Sequence, residues 1–246
     1  KVTPQDLIPQ VYLPGREGSL QVEMLAATRR NGLFAYELAP KLDDLLAEVA
    51  AGSPVVVLQN LALSWYPVWH YAVVVGYDLQ RAEIILRSGL EQRQVLPLTT
   101  FEHTWERGGY WAMLALSPGS VPRTATEVSY MSAAVALEMT GRPDSAEAAY
   151  ESALRRWPGN LTARIGMGNA AYAQGNVMRA EQAYRQATLD HPESAIAFNN
   201  LAQTQADQQR YPEALAAANQ AVSLGGPELA TALGTLEEIS NKMRGE

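Results

Sequence analysis

His70 opens the strand-like stretch WHYAVVVGYD, residues 69–78, where an imidazole stands at the mouth of a run apolar enough to be buried. A histidine held there is a candidate general base, because its ordinary pKa lies near neutrality. A base needs a nucleophile and a group that orients its ring. The 246-residue chain contains no cysteine, so it supplies no thiolate of its own. His103 and His191 fall in other elements with no ligand spacing to His70, so no metal site is expected. No Gly-x-Ser-x-Gly, phosphate-loop or dinucleotide pattern occurs, and no cofactor is expected. The LPGREGS stretch, 13–19, lacks phosphate-loop spacing and reads as an inter-helix turn.

The elements that must position His70 follow from periodicity. TPQDLIPQVY and SLQVEMLAATRRNG read as short amphipathic helices, and KLDDLLAEVAAG as a helix ending at Gly52. LFAYEL, PVVVLQNL, HYAVVVGYD, AEIILRSG, RQVLPL and GYWAMLAL read as strands. TTFEHTWERGG reads as a short helix capped by Thr99 or Thr100. Helices followed by an antiparallel sheet make an α+β pattern.

A hairpin through Asp78–Arg81 with Tyr77 opposite Ala82 puts His70 opposite Gly89, with Arg87 and Ser88 as neighbours. Neither neighbour is a carboxylate. Asp78 is eight residues along the same strand, roughly 26 Å away at about 3.3 Å per residue. Ser88 or an amide is therefore the candidate for orienting the ring, more weakly than an aspartate would. Gln59, ending the preceding strand, is either an oxyanion helper or a plain surface amide. Trp65, Tyr66 and Trp69 crowd the approach to His70, either as the wall of a cleft for an extended substrate or as packing for a long loop.

Residues 127–228 follow a different rule. Ala146, Ala180 and Ala214 are spaced by 34, as are Ala153, Ala187 and Ala221, and Tyr150 with Tyr184. Pro158 and Pro192 keep the step, and so do Gly141 and Gly175. Three helix–turn–helix units result, 127–160, 161–194 and 195–228, with a final helix over 229–246 whose apolar face is expected at Leu229, Leu233, Leu236 and Ile239. SPGSVPRTAT, 117–126, reads as the linker after a first domain of 1–116.

The repeat half resembles the tetratricopeptide repeats, an all-α solenoid. The middle unit carries the resemblance best, with Met167, Gly168, Ala171, Gly175, Ala180, Tyr184, Ala187 and Pro192. The resemblance implies a groove lined by the first helix of each pair. Its lining would be Val128, Met131, Val135 and Glu138, then Thr162, Ile165, Asn169 and Tyr172, then Ile196, Asn199, Gln203 and Ala206. Asn169, Tyr172, Asn199 and Gln203 are the candidate peptide contacts. The greasy first set either lines that groove or packs on the α+β half.

GSPVVVLQN, HYAVVVGYD, ILRSG and FEHTWERGGYW resemble the papain-like bacteriocin-processing peptidases, which cut after a double glycine. That resemblance implies a papain-like antiparallel-sheet domain and a cysteine opening an upstream helix, with His70 as base. The family's aspartate position holds Arg87 and Ser88 here, and its cysteine position lies upstream of Lys1. His70 is then the base of a peptidase completed by an upstream cysteine, or a relic in a cleft that binds without cutting, or a structural histidine.

Residues 1–116 carry 9 basic and 12 acidic side chains and 117–246 carry 10 and 14, for a net charge of −7. Neither half is basic, which argues against nucleic acid or an anionic membrane as partner. No run is long and apolar enough to span a bilayer. The expected partner is a peptide or protein, while the oligomeric state stays open. Repeat-bearing relatives of this peptidase type imply a bacterial envelope setting, periplasmic or envelope-associated and lipid-anchored upstream, with a cytoplasmic setting left open.

Overall fold

The structure, a computed structural model, describes residues 2–16 and 18–244. The chain divides into two compact units, Lys1–Thr140 and Gly141–Glu246.

In the first unit, α1 (Pro4–Val11) starts at a capping box in which Thr3 and Asp6 exchange hydrogen bonds. A 3-10 turn at Pro14–Arg16 and a bridge between Leu13 and Gly18 lead to α2 (Gln21–Arg30). Then come β1 (Phe34–Glu37), α3 (Leu42–Ala50), β2 (Val55–Asn60), β3 (Trp69–Asp78), β4 (Glu83–Ser88), β5 (Glu91–Pro97), α4 (Leu98–Glu106) and β6 (Ala112–Leu116). The helix expected to be capped by Thr99 or Thr100 instead begins at Leu98 behind Pro97, with both threonines inside it and no side-chain cap.

The six strands form one sheet in the order β1-β6-β2-β3-β4-β5, each neighbouring pair antiparallel. Alternation along the strands gives two different faces. Leu58, Tyr71 and Met113 pack with Leu25 of α2 and with Trp111. The other face meets α4, which supplies the fully buried Phe101 and Trp105. Trp105 donates Nε1–H to the Trp111 carbonyl at 2.9 Å and so closes the turn between α4 and β6. That turn requires Gly108, because a Cβ there would sit 2.1 Å from the Leu58 carbonyl oxygen.

The linker is tied down. Buried Glu48 of α3 accepts hydrogen bonds from the Thr124 N–H at 2.7 Å and its hydroxyl at 2.8 Å. The next helix, α5 (Glu127–Glu138), packs on β1: Tyr130 stacks on Phe34 at 4.6 Å, and Tyr36 shares a 2.8 Å hydrogen bond with Ser129. Of the apolar trio expected on this helix only Met131 is buried, while Val128 is 78% exposed and Val135 is exposed as well.

The second unit holds α6 (Pro143–Arg156), α7 (Leu161–Ala173), α8 (Val177–Asp190), α9 (Ala195–Asp207), α10 (Tyr211–Leu224) and α11 (Leu229–Arg244). Asn160 and Ser194 cap the starts of α7 and α9 through side chains that accept from the N–H three residues on. With Thr126 before α5, they extend the 34-residue step to the caps. Small residues let the helices meet: a Cβ at Gly166 would fall 2.2 Å from the Tyr150 ring, and one at Gly168 would fall 2.3 Å from Tyr184. On α11 the expected face is met in part: Ile239 is buried and Leu236 packs against the repeat core. Ala232, Thr235 and Ile239 are buried, whereas Leu229 and Leu233 are exposed. Small Ala232 and Thr235, rather than Leu229 and Leu233, take the remaining places against the stack.

Candidate functional site

Strands β2 and β3 place Gln59 directly opposite His70, so the two side chains share the α4 face of the sheet. Gln59 is buried, not a surface amide. Its Nε2 donates to the Thr104 hydroxyl at 2.6 Å, and Thr104 donates in turn to the Phe101 carbonyl at 2.8 Å. His70 is half-buried, and its Nε2 lies 2.8 Å from the Ser88 hydroxyl.

That contact depends on a register the sequence-based hairpin does not give. Tyr77 pairs with Ile84, not Ala82. Asp78 Oδ1 accepts from the Gln80 and Arg81 N–H groups, lengthening the turn, and Ala82 takes a φ of 52°. A bulge between Val74 and Gly76 then shifts the pairing by one residue, so that Ser88 sits opposite Ala72. In the simple register Arg87 would face Ala72 and lie on the His70 side. The bulge puts Ser88 there instead, diagonal to His70, while Arg87 pairs with Val73. The nearest carboxylate by register is Glu91, exposed and opposite Ser88 on β5.

The hydroxyl on Nε2 fixes the ring plane and leaves Nδ1 without a partner among the described residues. Such a ring can take a proton at Nδ1 from a group brought alongside it.

A cavity beside this strand lies on the opposite face. It is an open hollow of about 1270 Å³ between the end of α1, the start of α2, β2, β3 and the turn after α4, with Tyr12, Leu58, Trp69, Tyr71 and Arg107 in its wall. Trp69 and Tyr71 flank His70 in sequence, and strand alternation turns both away from the imidazole. The three candidate aromatics therefore separate. Trp69 lines the cavity, whereas Trp65 and Tyr66 stand at the loop tip, 80% and 68% exposed.

That loop is held at its base by Asn60, which the sequence reading missed. Buried Asn60 accepts at Oδ1 from the Ala62 N–H at 3.1 Å and the Val68 N–H at 3.0 Å, while its carbonyl takes two N–H bonds from Arg107. An Asn at a strand end preceding a long loop was the available signal. Inside the cavity Tyr71 donates its hydroxyl to the Ser19 carbonyl at 3.2 Å, and burial pushes its pKa up to about 12.

In the repeat unit, Asn169 Oδ1 accepts from the Tyr184 hydroxyl at 2.8 Å. Tyr172 donates to Asp207 at 2.6 Å, a bond that holds its phenol above its usual pKa. Asn199 is 8% exposed with its Oδ1 buried and unpartnered among the described residues. Gln203 accepts a long, 3.5 Å contact from Thr235 of α11. The candidate groove residues are thus partly engaged by the scaffold itself.

Residues 29–113 match the Peptidase_C39 like family, and residues 128–170 and 165–228 match tetratricopeptide repeat families. The chain accordingly joins a Peptidase_C39-like domain to tetratricopeptide repeats. No curated protein matches it. Among solved structures it is similar to the Yersinia enterocolitica type III secretion chaperone SycD in complex with a peptide of the translocator YopD. That match has 16% identity and a TM-score of 0.45, covering 49% of this chain and 98% of that one. The Arabidopsis OM64 tetratricopeptide repeat domain matches with 20% identity and a TM-score of 0.44, covering 47% of this chain and 95% of that one.

Proposed function

We propose that this chain is a polypeptide-binding adaptor: a peptidase-type sheet domain that holds a peptide segment without cutting it, joined to repeats that dock a protein partner. One observation carries the reading. The cavity that would hold a peptide lies on the Tyr71 face of β3, while His70 points to the other face. The absence of any cysteine agrees with it, because this chain cannot form a cysteine thioester acyl-enzyme by itself. The test pairs binding with hydrolysis. A fluorescent casein should be bound by the chain and left intact. Trp69→Ala should weaken binding and His70→Ala should leave it unchanged. Hydrolysis that disappears in His70→Ala would overturn the reading.

A second reading is favoured by the His70–Ser88 contact. A base whose Nε2 is held by a hydroxyl and whose Nδ1 is open suits a cysteine peptidase completed by a thiol from a segment upstream of Lys1. Gln59, held by Thr104 beside the ring, is the oxyanion helper in that reading. The longer protein should then react with a thiol-directed peptide probe, with labelling slowed by Ser88→Ala and abolished by His70→Ala. Absence of labelling would remove this reading and leave the first. A bacterial envelope location with an upstream lipid anchor belongs to either version, and fractionation of the native protein tests it.

A further inference from the structure

Building on the adaptor reading, we propose that the cavity on the Tyr71 face selects a peptide segment carrying a carboxylate beside a bulky apolar side chain. Arg107 meets the carboxylate, and Trp69 and Tyr12 flank the apolar group. Charge complementarity points to this class of ligand. The chain has 26 acidic against 19 basic residues, yet among the described residues lining the cavity Arg107 is the one formal charge and no Asp or Glu appears. A cation in an aromatic wall on an acidic protein is a selective element.

Arg107 is also aimed. Its Nε and Nη2 donate to the Asn60 carbonyl at 3.3 and 3.2 Å, which fixes the guanidinium plane. Of the five N–H donors of an arginine, the remainder stay available to a ligand. Tyr71 does not oppose an anion, because its phenol remains neutral and its hydroxyl is spent on Ser19.

Size and charge narrow the occupant further. A volume of about 1270 Å³ exceeds the roughly 300–1,000 Å³ typical of compact ligands, which suits a stretch of chain. A single guanidinium balances one carboxylate, whereas a phosphate carries up to two charges and is usually met by several donors. Tyr12 and Trp69 are exposed, so a chain can lie against them.

The test uses the full chain and two capped peptides, acetyl-Phe-Leu-Glu-Leu-amide and its Gln counterpart, each carrying a net-neutral rhodamine and followed by anisotropy. The acidic peptide should bind about tenfold tighter, the scale of one charge-assisted contact. Arg107→Gln should erase that preference, and Trp69→Ala should weaken both peptides. Because Arg107 also braces Asn60, Gln21→Glu is the second variant. Gln21 lines the cavity at the first position of α2, where an added carboxylate suits the helix. It should weaken the acidic peptide about threefold or more by like-charge repulsion and spare the neutral one. Equal binding of both peptides, each weakened by Trp69→Ala, sinks the charge selectivity and leaves the adaptor reading standing. A preference that survives both Arg107→Gln and Gln21→Glu also sinks it. Binding of neither peptide overturns the cavity as a peptide site altogether.

Discussion

The sheet unit and the repeat unit solve the problem of placing side chains in opposite ways. In the repeats, contacts come from residues close in sequence and recur with the period. Gln174 reaches Glu147 and Gln208 reaches Glu181, each 27 residues away, and the two pairs are offset by 34. In the sheet unit, each contact near His70 joins its own pair of elements at its own separation: 18 residues for His70–Ser88, 45 for Gln59–Thr104 and 47 for Asn60–Arg107. A periodic sequence can therefore announce the first kind of contact, and nothing local announces the second.

The boundary between the two is the place to break this contrast. Tyr130 belongs to the repeat pattern by position, yet it is fully buried against Phe34 of the sheet. Tyr130→Ala should cost about 4 kcal/mol, as for a buried aromatic truncated in a core, and should lower the denaturation midpoint of the sheet unit. A loss below about 1 kcal/mol would return α5 to the repeats.

Inside the repeats the contrast rests on close approach. Gly166→Val should cost about 3 kcal/mol, because the new side chain meets a fully buried Tyr150 ring that has no room to move. Thermal unfolding of the variant measures it, and an unchanged midpoint would mean that the helices separate easily.

The smallest effect concerns charge. Glu181 accepts from Arg210, Arg185 and Gln208, and these hold its pKa down to about 2 against an ordinary 4.5. A depressed carboxylate stabilises the fold fully above its unfolded pKa, so this contribution is present above about pH 4.5 and is lost as the pH falls toward 2. Glu181→Gln should cost about 1.5 kcal/mol at neutral pH, discounted because the arginines are partly in water, and should flatten the acid side of the stability profile. Denaturant midpoints between pH 2 and 7 for the two proteins check this.

Legibility follows the same divide. The 34-residue step located the helices and the stopping prolines, because each recurs at a fixed place in the unit. The caps at Thr126, Asn160 and Ser194 share the step and were there to be read. The strands of the first unit were legible from alternation. Their register was not, since the turn at Asp78 and the bulge at Val75 each move the pairing and neither leaves an apolar signature. On α11 Leu229 and Leu233 depart from the expected face while Leu236 and Ile239 keep to it, because close packing selected the small Ala232 and Thr235 at the other contacts.

By itself the sequence determined the two architectures, the lack of a thiol and the presence of an imidazole at the head of a strand. These depend on residue types, on local alternation and on the fixed 34-residue step. Only the tertiary structure decided that Ser88 rather than Arg87 meets that imidazole, that Gln59 is buried behind Thr104, and that the cavity opens on the other side of the strand. The physical reason is that side chains alternate along a strand with a period of two, so a one-residue shift exchanges the faces. Such a shift is set by pairing between strands rather than by any one of them.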